Sequence, residues 1–563
     1  MANDKEKLDG QAAFFSSPVA QDGKRRRSEI GIYVQHSDRR DSIMSEQEAS
    51  IRTPSAPGLS MGRLGIFEDE TDVGDPALQG RARPMMSHGA FDRGIAANGS
   101  GRAFSLKTNY PNSVWRIAMQ EKLLLAVCSC ALVCSLAAPQ TIEVDFGKQD
   151  PTDPAFYGRY INICGGGQEF TESDLKLFEE QMGRLKLVRI WGTTFAKYAQ
   201  QMADEALMVS SQVTLLKQLF EGVITEQGYT SSVAKSIEKA KDQYPFITYI
   251  EPFNELSPKS IKPPAGVSME EAYYRGFRAT YRAVNELNRE HAYAKPLKVG
   301  GCACMWPQYK KGYIKNFLAC YAKDSDPGKR LDFISVHFYT DDFEKIMSFR
   351  RDIEETLKEL RLPVPQLIMS EVGWKEPGAQ KYSSNPKDSL RWAMGSLAHT
   401  YQCAEQNVIP MHWVYPRKED RHCMVAPAKE PPAFLPKGNA IKLAQMLKTG
   451  HAHSSVAIDS NGCGVYSVAT YDETGVALLL WNYDAKEEPS KTVTLKFSHA
   501  EALPSQSGRA AEYRLEQNTG NYFADKTAWR LMPSDSGVKP ILAFDGKKIT
   551  LDGNAAYMLS IAY

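Results

Sequence analysis

Between about residue 159 and residue 447, short apolar runs alternate with longer amphipathic stretches, and this alternation limits the fold more than any other feature of the chain. The runs fall at 159–164, 187–192, 206–209, 247–255, 297–301, 331–339, 367–371 and 408–415, and they are rich in β-branched and aromatic residues. Runs of this length, apolar at successive positions, suit strands buried on both faces, and such strands are parallel and need crossover helices. Helical patterns lie between them, at 231–243, 269–290, 313–321, 352–360 and 388–405, with a last one at 436–447. Thr171-Glu-Ser-Asp174 supplies a capping pattern for a helix reaching about Arg184. Counted in order, the units number eight within roughly 300 residues, which predicts an α/β fold of the (β/α)8 TIM-barrel type. The third strand, 206–209, is the least marked of the set.

The pattern changes near residue 457. Residues 464–469, 476–483, 491–497 and 556–561 alternate apolar and polar with turns between, which predicts an appended C-terminal β-sandwich. Residues 141–146 alternate in the same way and are expected to pair with that sheet rather than join the barrel. At the other end, residues 1–118 are rich in Ser, Gly, Arg, Asp and Met, carry basic clusters and lack hydrophobic periodicity, so they read as a disordered tail. Residues 119–139 enclose an apolar segment, 123–138, short for a spanning helix and suited to the core of a signal sequence. Arg116 and Lys122 precede it while Glu143 and Asp145 follow, so its carboxyl side is the translocated one. Three readings stay open: a cleaved signal with translation starting at Met119, a type II membrane anchor, or a buried core helix. The first two place the chain in the secretory pathway, secreted or membrane-held, with 140–450 as barrel and 451–563 as sandwich.

Ten cysteines are present, three of them within the apolar segment. The other seven, Cys164, Cys302, Cys304, Cys320, Cys403, Cys423 and Cys463, follow no zinc-ligand spacing and are expected to be mostly buried thiols, with room for one or two disulfides. Gly165-Gly-Gly167 lacks the Lys-Ser/Thr of a phosphate loop and is expected to serve close packing. No metal and no organic cofactor is implied. Lysine and arginine total 68 against 67 acidic residues, so no electrostatic field favours a nucleic-acid partner.

Two of the apolar runs close on acidic residues. Ile247-Thr-Tyr-Ile-Glu-Pro-Phe-Asn254-Glu255 ends on an amide beside a carboxylate, and Pro365-Gln-Leu-Ile-Met-Ser-Glu371 ends on another carboxylate. In a parallel barrel the carboxyl ends of strands face the ligand. Each Glu alone reads equally well as a salt-bridged or solvated residue. As a pair they supply what acid/base and nucleophilic chemistry on a glycosidic bond requires.

Asn254-Glu255, Ser370-Glu371, the Leu331-Asp-Phe-Ile-Ser-Val-His-Phe-Tyr339 strand between them and Trp413 on the last strand together resemble the clan A retaining glycoside hydrolases. Their order is most similar to family 39, the β-xylosidase and α-L-iduronidase group, over roughly residues 140–563. The resemblance implies Glu255 as general acid/base and Glu371 as nucleophile, acting on an oligosaccharide, polysaccharide or glycoside. It implies Arg189 and Tyr339 as donors to Glu371, and Asn254 as a partner for the sugar 2-hydroxyl. By the chemistry of such a pair, partial burial and the Glu371 charge are expected to raise the Glu255 pKa. His337 reads as a group orienting a sugar hydroxyl or as a core histidine. Trp413 and Trp374 read as stacking surfaces or as packing, and Trp306 with Tyr309 as an outer subsite. Arg417, Lys418 and Arg421 form a basic cluster after the last strand, suited to a solvated loop or to an acidic sugar. The chain departs from the family at Leu256, where proline is usual, and at Trp191, in the region where a histidine follows the arginine. Two rival readings share these residues: a transglycosylase on wall polysaccharide, and a non-catalytic glycan-binding protein.

Overall fold

The computed structural model describes residues 140–163, 172–374, 385–413, 424–426, 430–486 and 490–563. The N-terminal tail, the apolar segment, Cys164, Gly165–Gly167, Thr171, the basic cluster and Cys423 lie outside the described residues. The first strand, β1 (Gln140–Gln149), is followed by eight parallel strands: β2 (Tyr160–Asn162), β3 (Leu185–Trp191), β4 (Ala203–Val209), β5 (Ile247–Glu251), β6 (Lys298–Met305), β7 (Phe333–Tyr339), β8 (Gln366–Gly373) and β9 (Val408–Trp413). They close into a barrel in chain order, β9 pairing back onto β2. The predicted third strand is present as β4 and begins three residues earlier than its apolar run, because Ala203-Asp-Glu carries charge at the barrel's lower rim.

Helices cover the barrel where amphipathic stretches predict them. Met269–His291 is the clearest: Ser268 caps it by accepting from the Glu271 amide, and Tyr273, Phe277, Tyr281, Val284 and Leu287 form its buried stripe. This helix lies so close to β6 that a Cβ on Gly301 would come within 2.0 Å of the Tyr273 hydroxyl. The glycine pair 300–301 is therefore a packing requirement, and β6 continues past it to Met305 instead of ending there. Pro386–Glu405, capped by Asn385, is buried nearly all round because it sits between the barrel and the second sheet.

That second sheet contains β1 and nine further strands: β10 (Gly450–Ser454), β11 (Ala457–Ile458), β12 (Gly464–Asp472), β13 (Gly475–Tyr483), β14 (Lys491–Ser498), β15 (Ser507–Leu515), β16 (Asp535–Pro540), β17 (Lys548–Leu551) and β18 (Ala556–Ala562). The order is β16-β15-β18-β13-β12-β10-β1-β14-β17, with β11 attached to β12. As expected, β1 belongs here, between β10 and β14. The sandwich is one continuous sheet rolled over on itself. Its two ends meet where Arg514 of β15 donates to the Thr550 carbonyl of β17 at 3.2 Å and Lys547 pairs with Glu512 at 2.6 Å. Strand alternation serves two cores at once: Val476, Leu478 and Leu480 of β13 face the sandwich interior, whereas Ala477, Leu479, Trp481 and Tyr483 join the barrel's core. Among the described cysteines, Cys302, Cys304 and Cys403 are buried free thiols, and Cys320 and Cys463 are half-buried free thiols. No helix among the described residues is long and apolar enough to cross a membrane.

Candidate active site

The strand that was expected to end on Asn254-Glu255 ends four residues sooner, at Glu251, because Pro252 has no amide to give to the ladder. The chain then bends across the mouth of the barrel, and Glu255 adopts φ 47°, the left-handed region that a residue with a Cβ enters at a cost of about 1–3 kcal/mol. Its amide is held by the Ala303 carbonyl at 3.0 Å. Ala303 is the extra residue of a bulge in β6, itself at φ 48°, and its own amide donates to Ser335 Oγ at 3.1 Å. A second bulge, in β8, sets two residues of that strand against one of β7, so that Val336 pairs with Met369 and His337 with Glu371. Asn162 Nδ2 secures this bulge by donating to the Ser370 carbonyl at 2.8 Å. Bulges of this kind re-aim side chains beside a site. Here they bring Glu255, beyond the end of β5, and Glu371 of β8 toward the same imidazole.

Arg189 of β3 organises the floor of the site. Fully buried, it donates Nε and Nη2 to Glu251 Oε2 at 2.9 and 2.5 Å, Nη1 to Glu371 Oε1 at 2.9 Å, and Nη2 also to Asn254 Oδ1 at 2.7 Å. A guanidinium with this number of acceptors is held in one orientation. Glu251, likewise without exposure, uses its other oxygen to accept from Ser335 Oγ at 2.5 Å. Tyr339 donates its hydroxyl to Glu371 Oε2 at 3.0 Å. Glu371 therefore has a donor on each oxygen.

His337 lies between the two carboxylates, with Nδ1 2.6 Å from Glu255 Oε1 and 3.4 Å from Glu371 Oε2. An unprotonated Nδ1 would set its lone pair against those of two carboxylates, so this nitrogen carries the hydrogen. The opposite nitrogen, Nε2, is buried without a hydrogen-bond partner among the described residues. Burial pushes the Glu255 carboxyl up, but the hydrogen bond and charge of His337 together with the charge of Arg189 outweigh it and hold the group below its ordinary value. This corrects the expectation of a raised Glu255 pKa: the sequence order that exposes the two acids does not reveal a histidine bonded to one of them. One carboxylate oxygen from each Glu and the His337 ring nitrogen all lie within 4.8 Å of one another. These three side chains are also the one group among the described residues close enough to hold a metal ion, although each already has hydrogen-bond partners in the site.

Six of the eight residues singled out in sequence thus meet directly: Glu255, Glu371, Asn254, Arg189, His337 and Tyr339. Trp413 stands at their edge, half-buried, its ring 5.9 Å from that of Tyr339 in an edge-on arrangement. Trp374 does not belong with them. It is 4% exposed, packs against Gly395 and donates its indole N–H to Tyr483 of β13 at 2.9 Å, so the reading of Trp374 as a sugar-stacking surface is replaced by a domain-packing role. Trp306 and Tyr309 stack on each other at 4.9 Å, and Trp306 also meets Phe338 edge-on. Leu256, standing where the resembled family has proline, is a buried core residue whose carbonyl accepts from Gln308. Sequence reasoning gave no role to Glu251, Ser335 or Asn162. Glu251 had left a signal, a lone acid inside the apolar run before Asn254.

The sequence matches no family model and no curated protein. Solved structures do match the fold. A family 39 glycoside hydrolase from Xanthomonas axonopodis pv. citri aligns with a TM-score of 0.55 at 15% identity, covering 76% of this chain and 98% of that one. A monomeric β-xylosidase from Caulobacter crescentus CB15 aligns with a TM-score of 0.54 at 12% identity over 75% and 99% of the two chains. A glucosidase from Croceicoccus marinus aligns with a TM-score of 0.55 at 13% identity over 76% and 99%. Nearly the whole of each of those chains is matched, and the architecture anticipated from the resemblance is the one observed: this chain has the fold of these glycosidases, a closed eight-stranded barrel carrying a β-sandwich.

Proposed function

We propose that the protein is a retaining glycoside hydrolase in which Glu371 is the nucleophile and Glu255 the general acid/base. The observation that carries this reading is that one carboxylate oxygen of Glu255 and one of Glu371 lie within 4.8 Å of each other, beyond the carboxyl end of β5 and near that of β8. Double displacement needs carboxyl groups about 5–5.5 Å apart, whereas direct displacement by water needs roughly 6.5–9.5 Å. The hydrogen-bond pattern divides the roles. Glu371, with a donor on each oxygen from Arg189 and Tyr339, is held in place to attack an anomeric carbon. Glu255, the more exposed of the pair, has one oxygen on His337 and the other available to a leaving group. Protonation of that oxygen allows the leaving alcohol to depart as the glycosyl–Glu371 ester forms. The resulting Glu255 carboxylate then takes a proton from water as water opens the ester. Asn254, its carbonyl oxygen occupied by Arg189, has its amide N–H groups left for a sugar hydroxyl. The fold shared with a β-xylosidase and a glucosidase supports a glycoside as substrate. An intact and mutually supported pair of acids speaks for turnover rather than for glycan binding alone.

The reading is tested by Glu371→Ala on a panel of aryl glycosides. Turnover should fall by about four orders of magnitude or more, and azide should restore it by forming a glycosyl azide of inverted configuration. Wild-type rates in Glu371→Ala would overturn the assignment.

A further inference from the structure

Trp191 is the last residue of β3, two positions beyond Arg189. Side chains two apart on a strand share a face, and Arg189 reaches across the barrel to Glu371, so Trp191 is directed to the same inner side one pleat nearer the mouth. The step along the strand is about 7 Å, roughly the width of one sugar ring. The backbone beneath the indole is fixed. Gly192, at φ 53°, donates to the Val209 carbonyl, and Thr194 donates back to the carbonyl of Trp191. The indole itself is unlike the others in the described residues. Trp374, Trp392, Trp481 and Trp529 are buried, and Trp306 and Trp413 are half-buried against other rings. Trp191 is 38% exposed and, among the described residues, has neither a ring contact nor a side-chain hydrogen bond.

We propose that Trp191 is a specificity-determining residue, the platform on which the sugar ring held at Glu371 stacks, and that it selects pyranosides over furanosides. A π face is electron-rich and attracts the polarised C–H bonds of a sugar. A six-membered ring of gluco or xylo configuration presents several C–H bonds on one flat face and covers the indole, whereas a puckered five-membered ring covers less of it. The proposal rests on the glycosidase reading of the same pocket and sharpens it to a ring class.

The test separates the two. Binding of xylobiose, cellobiose and α-1,5-arabinobiose is measured by calorimetry on the full chain carrying Glu371→Gln, which halts turnover, with and without a second change at Trp191. Trp191→Ala should weaken xylobiose or cellobiose by about tenfold, and Trp191→Phe should stay within about threefold of the parent. Arabinobiose should bind more weakly than either pyranoside and respond little to the change. Because the indole is exposed, melting temperatures should be unaffected, which rules out misfolding as the cause. Equal affinity for the pyranosides with and without Trp191, or no binding of either pyranoside, would overturn the proposal. A wild-type chain that cleaves only furanosides would sink the stacking role and leave the glycosidase reading standing. Pyranosides bound through Trp191 but never cleaved would do the reverse.

Discussion

In the proposed mechanism, the single residue that decides how Glu255 works as the acid is His337. The proton-donating form of Glu255 is lost as pH rises through its pKa, and that loss appears as the alkaline limb of kcat/KM. His337 on β7, with Arg189 on β3, holds the group below its ordinary value, while Glu371 on β8 faces the same imidazole. Removing the histidine leaves burial as the leading influence, and burial favours the neutral acid. His337→Gln should therefore move the alkaline limb to higher pH while lowering the maximal rate. A limb that stays in place or moves down would show that His337 does not govern Glu255. Glu251 acts at one remove. Without it, Arg189 would lose two of its hydrogen bonds and remain a buried cation, a situation that costs about 3–5 kcal/mol when one partner of a buried pair is removed. The two acids, the arginine and the tyrosine were legible because each stands in an ordered strand motif. The Glu255–His337 bond was not, since it depends on two bulges that add a residue to β6 and to β8, and a linear pattern carries no mark of a register shift.

Elements place Glu371 as firmly as its own hydrogen bonds do. Three residues beyond Glu371, Trp374 locks the end of β8 between the helix Pro386–Glu405 and β13 of the sandwich. Trp374→Ala should cost about 3–5 kcal/mol through the cavity it leaves, and kcat should fall while KM changes little, because Glu371 loses its placement rather than the substrate its contacts. Tyr483→Phe, which removes the acceptor of the indole N–H, should cost about 1–3 kcal/mol. Denaturant melts alongside steady-state kinetics check both, and an undiminished kcat in Trp374→Ala would contradict the coupling. Sequence periodicity found the barrel strands because parallel strands buried on two sides are continuously apolar. It could not tell Trp374 from a ligand-facing indole, since both roles ask for a large aromatic side chain just after a barrel strand, and only the packing of a distant strand separates them. The sandwich strands β10, β11, β15, β16 and β17 were also missed. β10, β11 and β17 are short, β16 lies at an edge of the sheet, and β15 carries Arg509, Glu512 and Arg514 with few large apolar residues between them.

For the molecule as a whole, the sandwich keeps a core of its own but lends one face of its strands to the core of the barrel. Tyr466, Val468, Leu479, Trp481, Tyr483 and Met558 from the sandwich strands belong to the same buried cluster as the barrel's Ile250, Val336 and Ile368. The chain threads this arrangement from both ends, β1 entering the second sheet before the barrel begins and β10 returning to it afterwards. Such a scaffold keeps the rim of the barrel rigid enough to hold Glu255 and Glu371 at a fixed separation. In the proposed mechanism that separation sets the stereochemistry of the reaction. Proton NMR of an aryl glycoside during the first minutes of hydrolysis, before the released sugar mutarotates, should show product with the anomeric configuration of the substrate. An inverted first product would contradict the account.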